Sequence, residues 1–225
     1  MRPIRAVLFD WGDTLFSSPD AATVIVEAAR ARGVDVSEHE ARSLWDEIWA
    51  AGKTPEELAK GRDLSLDLHR SAWTSLFERA DRVVPGLAPV LYERVMAQDR
   101  WIPYADTEST LRALRELRVR IGIVSNVPVE LAPIFEARGL RGYVDAFTQS
   151  YEVGAEKPDP AIFLEACRRL GVQPEETLMV GDHEVADGGS VAAGLRFHHL
   201  TGEVGSGGVR GLTAVIEAVE RSRAG

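Results

Sequence analysis

Three short apolar runs, each followed at once by polar residues, constrain the fold of this chain more than any other feature. In chain order they are AVLFD (residues 6 to 10), IGIVSN (121 to 126) and LMVGD (178 to 182). Their apolar residues do not alternate with polar ones, so each run is typical of a strand that is covered on both faces. Such strands occur in parallel sheets, and the runs therefore predict an α/β fold with a parallel-sheet core.

Two helical patterns lie between the predicted strands. Leucines recur at helical spacing from Thr107 to Leu117, with Asp106 as a candidate N-cap, and a second pattern runs from Pro160 to Leu170. Weaker strand patterns occur at residues 145 to 150 and 195 to 200. Because parallel strands need a crossover between them, this alternation predicts right-handed β-α-β units.

Residues 17 to 98 interrupt the alternation, since they contain helical patterns without a convincing strand. We therefore predict that residues 1–16 and 99–225 form the core domain and that residues 17–98 form an inserted helical unit. Trp45, Trp49 and Trp73 fall within the insertion. We expect them to fill its small hydrophobic core, and a substrate-facing role for one of them is the less favoured alternative.

The net charge of −9 argues against nucleic acid or an anionic membrane as a partner, because such polyanions are bound mainly through clustered Lys and Arg. A phosphorylated ligand would therefore need a local cation and one or two basic side chains. The single cysteine, Cys167, cannot form an intramolecular disulfide, which fits a cytoplasmic location. No apolar run approaches the length of a membrane span. The sequence leaves the oligomeric state open.

Polar side chains follow all three strong strands. In a parallel sheet the carboxyl ends of the strands share one edge, so these side chains could converge although they are distant in sequence. A carboxylate there could attack phosphorus and form an aspartyl phosphate, provided that a cation offsets the repulsion between two anions. Mg²⁺ fits such an acidic set, whereas zinc would ordinarily want His or Cys ligands. The residues concerned are Asp10, Asp13 and Thr14, then Ser125 and Asn126, then Asp182 and Asp187.

Four segments in this order resemble the four motifs of the haloacid dehalogenase (HAD) superfamily: FDWGDTL, IVSN, EKPDPAIF and VGDHEVADGGSVAAG. The resemblance implies a Rossmann-like parallel-sheet core with an α-helical cap inserted between the first and second motifs. It implies that Asp10 is the nucleophile and that Ser125 donates a hydrogen bond to the transferring group. It also implies that Lys157 neutralises the nucleophile and the phosphoryl oxygens.

The same resemblance implies a cofactor and its ligands. The cofactor is Mg²⁺, and its expected ligands are Asp10, the backbone carbonyl of Gly12, Asp182 and Asp187. The residues expected to bind the substrate are Thr14, Ser125, Asn126 and Lys157. The function implied is that of a Mg²⁺-dependent phosphatase acting on a small phosphorylated metabolite through an aspartyl-phosphate intermediate.

The chain departs from the family pattern two positions after the nucleophile. Phosphatases of the family usually carry a second aspartate there, which protonates the leaving group, whereas this chain has Gly12, which has no side chain to transfer a proton. Three explanations stay open: Asp13 has taken over the acid role, a substrate with a good leaving group needs no strong acid, or the reaction is not phosphate-ester hydrolysis. We favour the second, because Asp in such a turn more commonly stabilises the turn.

Other reactions of the superfamily are alternatives. Haloacid dehalogenases also lack the second aspartate, but they work without metal and would not need Asp182. The DWGDT turn resembles that of phosphonoacetaldehyde hydrolases, which use a cap lysine as a Schiff base. The candidates here, Lys53 and Lys60, lie in a polar segment typical of an exposed connection, which argues against that chemistry. A catalytically weak HAD-like binding or regulatory protein is a further alternative.

Overall fold

The predicted strands form one parallel sheet in the computed structural model, which describes residues 2–202 and 204–224. The strands are β1 (Ala6–Phe9), β2 (Phe16–Ser17), β3 (Ile102–Pro103), β4 (Arg120–Ser125), β5 (Ala146–Gln149), β6 (Thr177–Gly181) and β7 (Arg196–His199). Five of them form the sheet in the order β5-β4-β1-β6-β7, and β2 pairs with β3 where the chain leaves and re-enters the core. The predicted α/β core with a Rossmann-like parallel sheet is confirmed.

β1 lies at the centre of this sheet. It pairs with β4 on one side and with β6 on the other, so that Phe9 lies opposite Ile123 and Val180. All four residues of β1 are buried, which explains why the strand is apolar without alternation. Because the strands are parallel, the residues that follow β1, β4 and β6 leave the sheet at the same edge.

The chain divides into two compact units, Met1–Ser18 with Ile102–Gly225 (the core unit) and Pro19–Trp101 (the helical unit). The α-helices described in the helical unit are α1 (Ala21–Arg30), α2 (Glu38–Gly52), α3 (Pro55–Leu58), α4 (Leu66–Phe77) and α5 (Ala88–Met96). Short 3₁₀ helices occur at Arg62–Leu64, Glu78–Arg82 and Gln98–Arg100. The sequence predicts a cap domain at residues 17–98, and the cap function of the insertion stays a prediction.

The buried centre of the helical unit is mostly aliphatic, and two of the three tryptophans pack against it. Trp45 and Trp73 pack against the buried cluster that contains Ile25, Ile48 and Leu91. Trp49 stacks on both of these tryptophans, with ring centroids 5.8 Å apart in each pair. However, Trp49 is 41% exposed. The expectation that all three tryptophans fill the core is therefore wrong for Trp49.

In the described part of the core unit, five α-helices accompany the sheet. They are α6 (Thr107–Glu116), α7 (Ala132–Ala137), α8 (Ser150–Val153), α9 (Pro160–Leu170) and α10 (Thr213–Ala224), with 3₁₀ helices at Arg141–Tyr143, Pro174–Glu176 and Gly188–Ala193. α9 packs Phe163 and Leu170 against the sheet, and Cys167 lies in the same apolar face. Among the helices of the described residues, none has the length and apolar character of a membrane span.

Asp106 stands just before α6, but its side chain makes no hydrogen bond to the first turn of this helix. Its buried carboxylate instead accepts hydrogen bonds from the backbone N–H groups of Arg210, Gly211 and Leu212, each at 2.8 Å. Asp106 therefore occupies the N-cap position, but the predicted capping interaction is wrong. Its oxygens accept hydrogen bonds from three backbone donors of a distant segment, and α6 begins at Thr107 without a side-chain cap.

Candidate active site

The residues that the sequence predicts to converge lie at the carboxyl edge of the sheet. Asp10 follows β1, Ser125 ends β4, and Asp182 follows β6. The backbone N–H of Asp10 donates to the carbonyl of Val180 at 2.9 Å, so the ladder between β1 and β6 continues one residue beyond the strand. Asp10 and Ser125 are buried and Asp182 is partly exposed. These side chains therefore stand on the central strands of the sheet.

Lys157 connects two of the predicted site carboxylates. Its Nζ donates to Asp10 Oδ1 and to Asp187 Oδ1, each at 2.6 Å. The lysine is 6% exposed, so these charge-assisted bonds are shielded from water. Burial alone would lower the pKa of Lys157, but Asp10 and Asp187 outweigh burial and hold this pKa above its usual value. The two acids on either side of the ammonium group therefore favour its charged form.

Asn126 fixes the backbone that carries Lys157. Asn126 Oδ1 accepts the backbone N–H of Lys157 at 2.7 Å, and Asn126 Nδ2 donates to the carbonyl of Lys157 at 3.0 Å. The peptide bond between Lys157 and Pro158 is cis. Both ends of the Asn126 amide are thus used to hold the lysine. Substrate binding by Asn126 stays a prediction.

Asp187 is fully buried against the end of β6. Its Oδ2 accepts the backbone N–H of His183 at 3.0 Å, while its Oδ1 accepts from Lys157. Gly181 makes this position possible, because a Cβ at residue 181 would overlap the Asp187 carboxylate. The carboxylate therefore occupies the space of a missing side chain at the strand end, which the sequence pattern alone did not indicate.

The three acids at this edge could hold a metal ion. Each of Asp10, Asp182 and Asp187 offers an oxygen within 4.8 Å of the others. Burial raises the pKa of Asp10 to about 7, and Lys157 offsets this effect only in part. Burial also raises the pKa of Asp182, with a further contribution from Asp187. When all three acids are ionised, they carry more negative charge than one lysine neutralises, and a divalent cation would favour this ionised form.

Thr14 and Asp13 both lie in the turn after β1, but their side chains contact different residues. Thr14 is buried, and its Oγ1 donates to Asp182 Oδ1 at 3.2 Å, which links the turn to the acidic cluster. Asp13 Oδ1 accepts hydrogen bonds from the N–H and the hydroxyl of Ser18, at 3.0 and 2.9 Å. Gly12 forms a bridge with Phe16 in the same turn. These contacts support a turn-stabilising role for Asp13, and the catalytic role of Asp13 and the metal-binding role of Gly12 stay predictions.

Sequence reasoning missed Arg210, whose Nε donates to the carbonyl of Asp13 at 2.7 Å. Its segment, residues 201 to 211, is rich in glycine, a composition typical of a surface loop. Most of this segment is exposed, but Arg210 is only 6% exposed. An arginine in a glycine-rich segment has no local signal that it points inward, so only the fold brings it to the turn after Asp10.

Comparison with curated proteins finds relatives that are named phosphatases. A glyceraldehyde 3-phosphate phosphatase from Methanopyrus kandleri is 32% identical over 191 residues, which cover 80% of this chain and 76% of the relative. A protein of the same name from Methanothermobacter thermautotrophicus is 31% identical over 186 residues, which cover 80% of this chain and 77% of the relative.

Solved structures share the fold over nearly the whole chain. A HAD phosphatase from Thermococcus onnurineus is 25% identical with a TM-score of 0.62, covering 96% of this chain and 98% of that protein. A 2-haloacid dehalogenase from Pseudomonas syringae is 23% identical with a TM-score of 0.62, covering 97% of this chain and 99% of that protein. The second likeness shows the fold alone.

Comparison with models of protein families assigns the chain to a family. The model for haloacid dehalogenase-like hydrolases matches residues 4–193, which include all the predicted site residues. The chain therefore belongs to the haloacid dehalogenase-like hydrolase family.

Proposed function

We propose that this hydrolase is a Mg²⁺-dependent phosphatase that uses Asp10 as a nucleophile on a small phosphorylated metabolite. The observation that carries the proposal is the buried Lys157 ammonium group, which binds Asp10 and Asp187 at 2.6 Å each. A cation held beside a potential nucleophile is suited to a reaction in which negative charge builds up at that point. The names of the two relatives support a small phosphate ester as the class of substrate.

The donor set of the acidic cluster fits Mg²⁺. It consists of carboxylate oxygens from Asp10, Asp182 and Asp187, and Mg²⁺ prefers oxygen ligands to nitrogen or sulfur. When bound, the cation would supply positive charge to Asp10 and to the phosphoryl oxygens. It would also favour the charged forms of Asp10 and Asp182, whose pKa values burial raises.

Two displacements complete the proposed reaction. A carboxylate oxygen of Asp10 forms a bond to phosphorus, the bond from phosphorus to the leaving oxygen breaks, and the leaving oxygen takes a proton from water. A second water then attacks phosphorus and gives its proton to the hydroxide that the first water left, the bond from phosphorus to the Asp10 oxygen breaks, and inorganic phosphate leaves. Lys157 orients Asp10 and offsets the charge of the phosphoryl oxygens, and Ser125 donates a hydrogen bond to one of them.

The turn after Asp10 limits the leaving groups that suit this site. Gly12 has no side chain that could protonate the leaving oxygen, and Asp13 Oδ1 accepts two hydrogen bonds from Ser18. A leaving oxygen that is weakly basic needs little help from an acid. We therefore propose that the preferred substrates are phosphate esters or anhydrides with good leaving groups.

The observed lysine environments favour this reaction over a Schiff-base mechanism. Lys53 is exposed, with Nζ 4.8 Å from the centroid of the Trp49 ring, and Lys60 is exposed and pairs with Glu57 at 2.6 Å. A Schiff-base lysine must instead be desolvated to lose its proton near neutral pH. A metal-free dehalogenase would not need the carboxylate of Asp182 beside Asp10.

Hydrolysis of p-nitrophenyl phosphate with Mg²⁺ and with EDTA tests the proposal. We expect turnover with Mg²⁺, a loss with EDTA, and background rates in Asp10→Asn, because an amide does not form the acyl phosphate. Asp145→Asn is the matched control, since Asp145 binds Arg115 at 2.8 Å and stands before β5. No turnover in wild type, unchanged turnover in Asp10→Asn, or metal-independent halide release from a 2-haloacid would contradict the proposal.

A further inference from the structure

Arg210 is a buried cation that the proposed reaction does not use. Its guanidinium group donates three hydrogen bonds to backbone carbonyls: Nε to Asp13 at 2.7 Å, Nη2 to Leu200 at 3.0 Å and Nη1 to Thr201 at 3.2 Å. A planar guanidinium group can bind several acceptors in fixed directions, which an ammonium group cannot do. Arg210 therefore joins the turn that follows the nucleophile to the segment that follows β7.

The direction of Arg210 is itself fixed by the chain around it. Asp106, which is buried, accepts the backbone N–H groups of Arg210, Gly211 and Leu212 at 2.8 Å each. Gly211 has φ of +90°, a left-handed conformation that a side chain would strain. The backbone bends at this glycine before α10 begins, and the Arg210 side chain stays inside.

The turn that Arg210 contacts has an uncommon conformation. Asp13 has φ of +53°, which non-glycine residues adopt rarely and which persists only where neighbours hold it. The N–H of Asp13 donates to Phe16, its carboxylate accepts from Ser18, and its carbonyl accepts from Arg210. Of these three contacts with Asp13, the one from Arg210 comes from outside the turn.

The same turn positions two side chains that belong to the acidic cluster or contact it. It begins at Asp10, whose carboxylate binds Lys157, and it includes Thr14, whose hydroxyl donates to Asp182. From these contacts we infer that Arg210 is a positioning residue, which holds the turn from Asp10 to Thr14 in the geometry needed for attack without touching the substrate. This inference rests on the proposed phosphatase function for its kinetic test.

Arg210→Gln tests the inference, with Arg196→Gln as a matched control. Arg196 also donates to two backbone carbonyls, those of Arg2 and Glu175, but it lies at the opposite end of the sheet. With p-nitrophenyl phosphate we expect kcat of Arg210→Gln to fall by about 10- to 100-fold with KM nearly unchanged, because small displacements of a nucleophile cost rate and not binding. Arg196→Gln should keep its kcat.

Amide hydrogen exchange gives a second readout that does not need activity. In Arg210→Gln the amides of residues 11 to 18 should exchange about tenfold faster, while those of β1 should stay protected. Where Arg210→Gln fails to fold, Arg210→Lys replaces it, with one donor retained and smaller changes of the same kind expected. Unchanged kcat, an effect on KM alone, equal losses in both arginine variants, or unchanged exchange in the turn would overturn the inference. If wild type hydrolyses no phosphate, the proposed function fails, and the exchange comparison still decides the role of Arg210.

Discussion

Lys157 in the core unit and His69 in the helical unit are both buried basic side chains near carboxylates, yet their surroundings shift their pKa values in opposite directions. Lys157 binds Asp10 and Asp187, and these acids hold its pKa above the usual value. His69 Nδ1 lies 2.9 Å from the Tyr92 hydroxyl, and its Nε2 lies 3.6 Å from Asp63. Burial, with a contribution from Arg62, lowers the pKa of His69 to about 4.

The difference shows how a buried polar group with a structural role can be distinguished from one that is a candidate for catalysis or binding. A neutral imidazole hydrogen-bonded to a tyrosine is satisfied within a packed unit and leaves nothing for a ligand to complete. Asp10 and Asp187 share one ammonium group, and Asp182 adds a third carboxylate close to both, so the cluster in its ionised form carries negative charge that a further cation would offset. The second arrangement is therefore a candidate for function, and the first is a packing element.

The largest effect expected from this comparison is that of Lys157→Met. In EDTA the substitution leaves Asp10 and Asp187 buried without their cation, and we expect the free energy of unfolding to fall by about 3–5 kcal/mol. Urea unfolding followed by circular dichroism measures this change. The double variant Lys157→Met with Asp10→Asn should regain part of the loss, because fewer charges are then unpaired. A loss below about 1 kcal/mol would mean that the buried ion pairs of Lys157 matter no more for stability than an ordinary surface contact.

The helical unit should instead respond to acid through His69. In the unfolded chain this histidine takes a proton near pH 6.5, but in the folded protein it does so only near pH 4. Stability that is present above pH 6.5 is therefore lost as the pH falls towards 4, by at most about 3 kcal/mol. The difference in unfolding free energy between wild type and His69→Gln should shrink over this range. Val83→Ala in the same unit exchanges two side chains that do not titrate, so it should give a constant difference. If the difference in unfolding free energy between wild type and His69→Gln also stayed constant with pH, His69 would not be a buried neutral histidine.

The sequence predicts the central strands well because their signal is local. β1, β4 and β6 are apolar runs that end in polar residues, and α9 matches the range predicted from its pattern, Pro160 to Leu170. The convergence of Asp10 and Asp182 follows from parallel topology, since both residues follow central strands. The resemblance of EKPDPAIF to a family motif gave the candidate Lys157, whose contacts with Asp10 and Asp187 the structure then shows.

Other parts of the site depend on contacts that have no local signal. The bond from Arg210 to Asp13 spans 197 residues, and the bond from Arg210 to Asp106 spans 104. An aspartate before a helix predicts an N-cap, and a glycine-rich segment predicts a surface loop. Both patterns describe the local backbone correctly but do not reveal which distant group the side chain meets. Only the three-dimensional arrangement decides that.

A smaller effect is expected at Gly181, where the missing side chain admits Asp187. In Gly181→Ala the new Cβ would overlap the Asp187 carboxylate, so Asp187 or the strand end must shift. We expect a loss of about 1–3 kcal/mol in unfolding free energy and a weaker activation by Mg²⁺. Gly188→Ala is the control, because the nearest atom to its Cβ would be Phe197 Cε1 at an ordinary 3.5 Å. Equal stability of the two variants would mean that the acidic cluster tolerates displacement of Asp187.

The smallest effect is expected for Asp13→Asn, although Asp13 is the acid that follows Gly12. Asparagine keeps an acceptor for the two hydrogen bonds from Ser18 and tolerates the positive φ of this position. If Asp13 only holds the turn, kcat should change by less than about threefold with p-nitrophenyl phosphate and equally little with phenyl phosphate, whose leaving group is more basic. A selective loss of about tenfold or more with phenyl phosphate would instead identify Asp13 as the proton donor. Asp13 would then have two roles, because the carboxylate that stabilises the turn through Ser18 would also take part in the reaction.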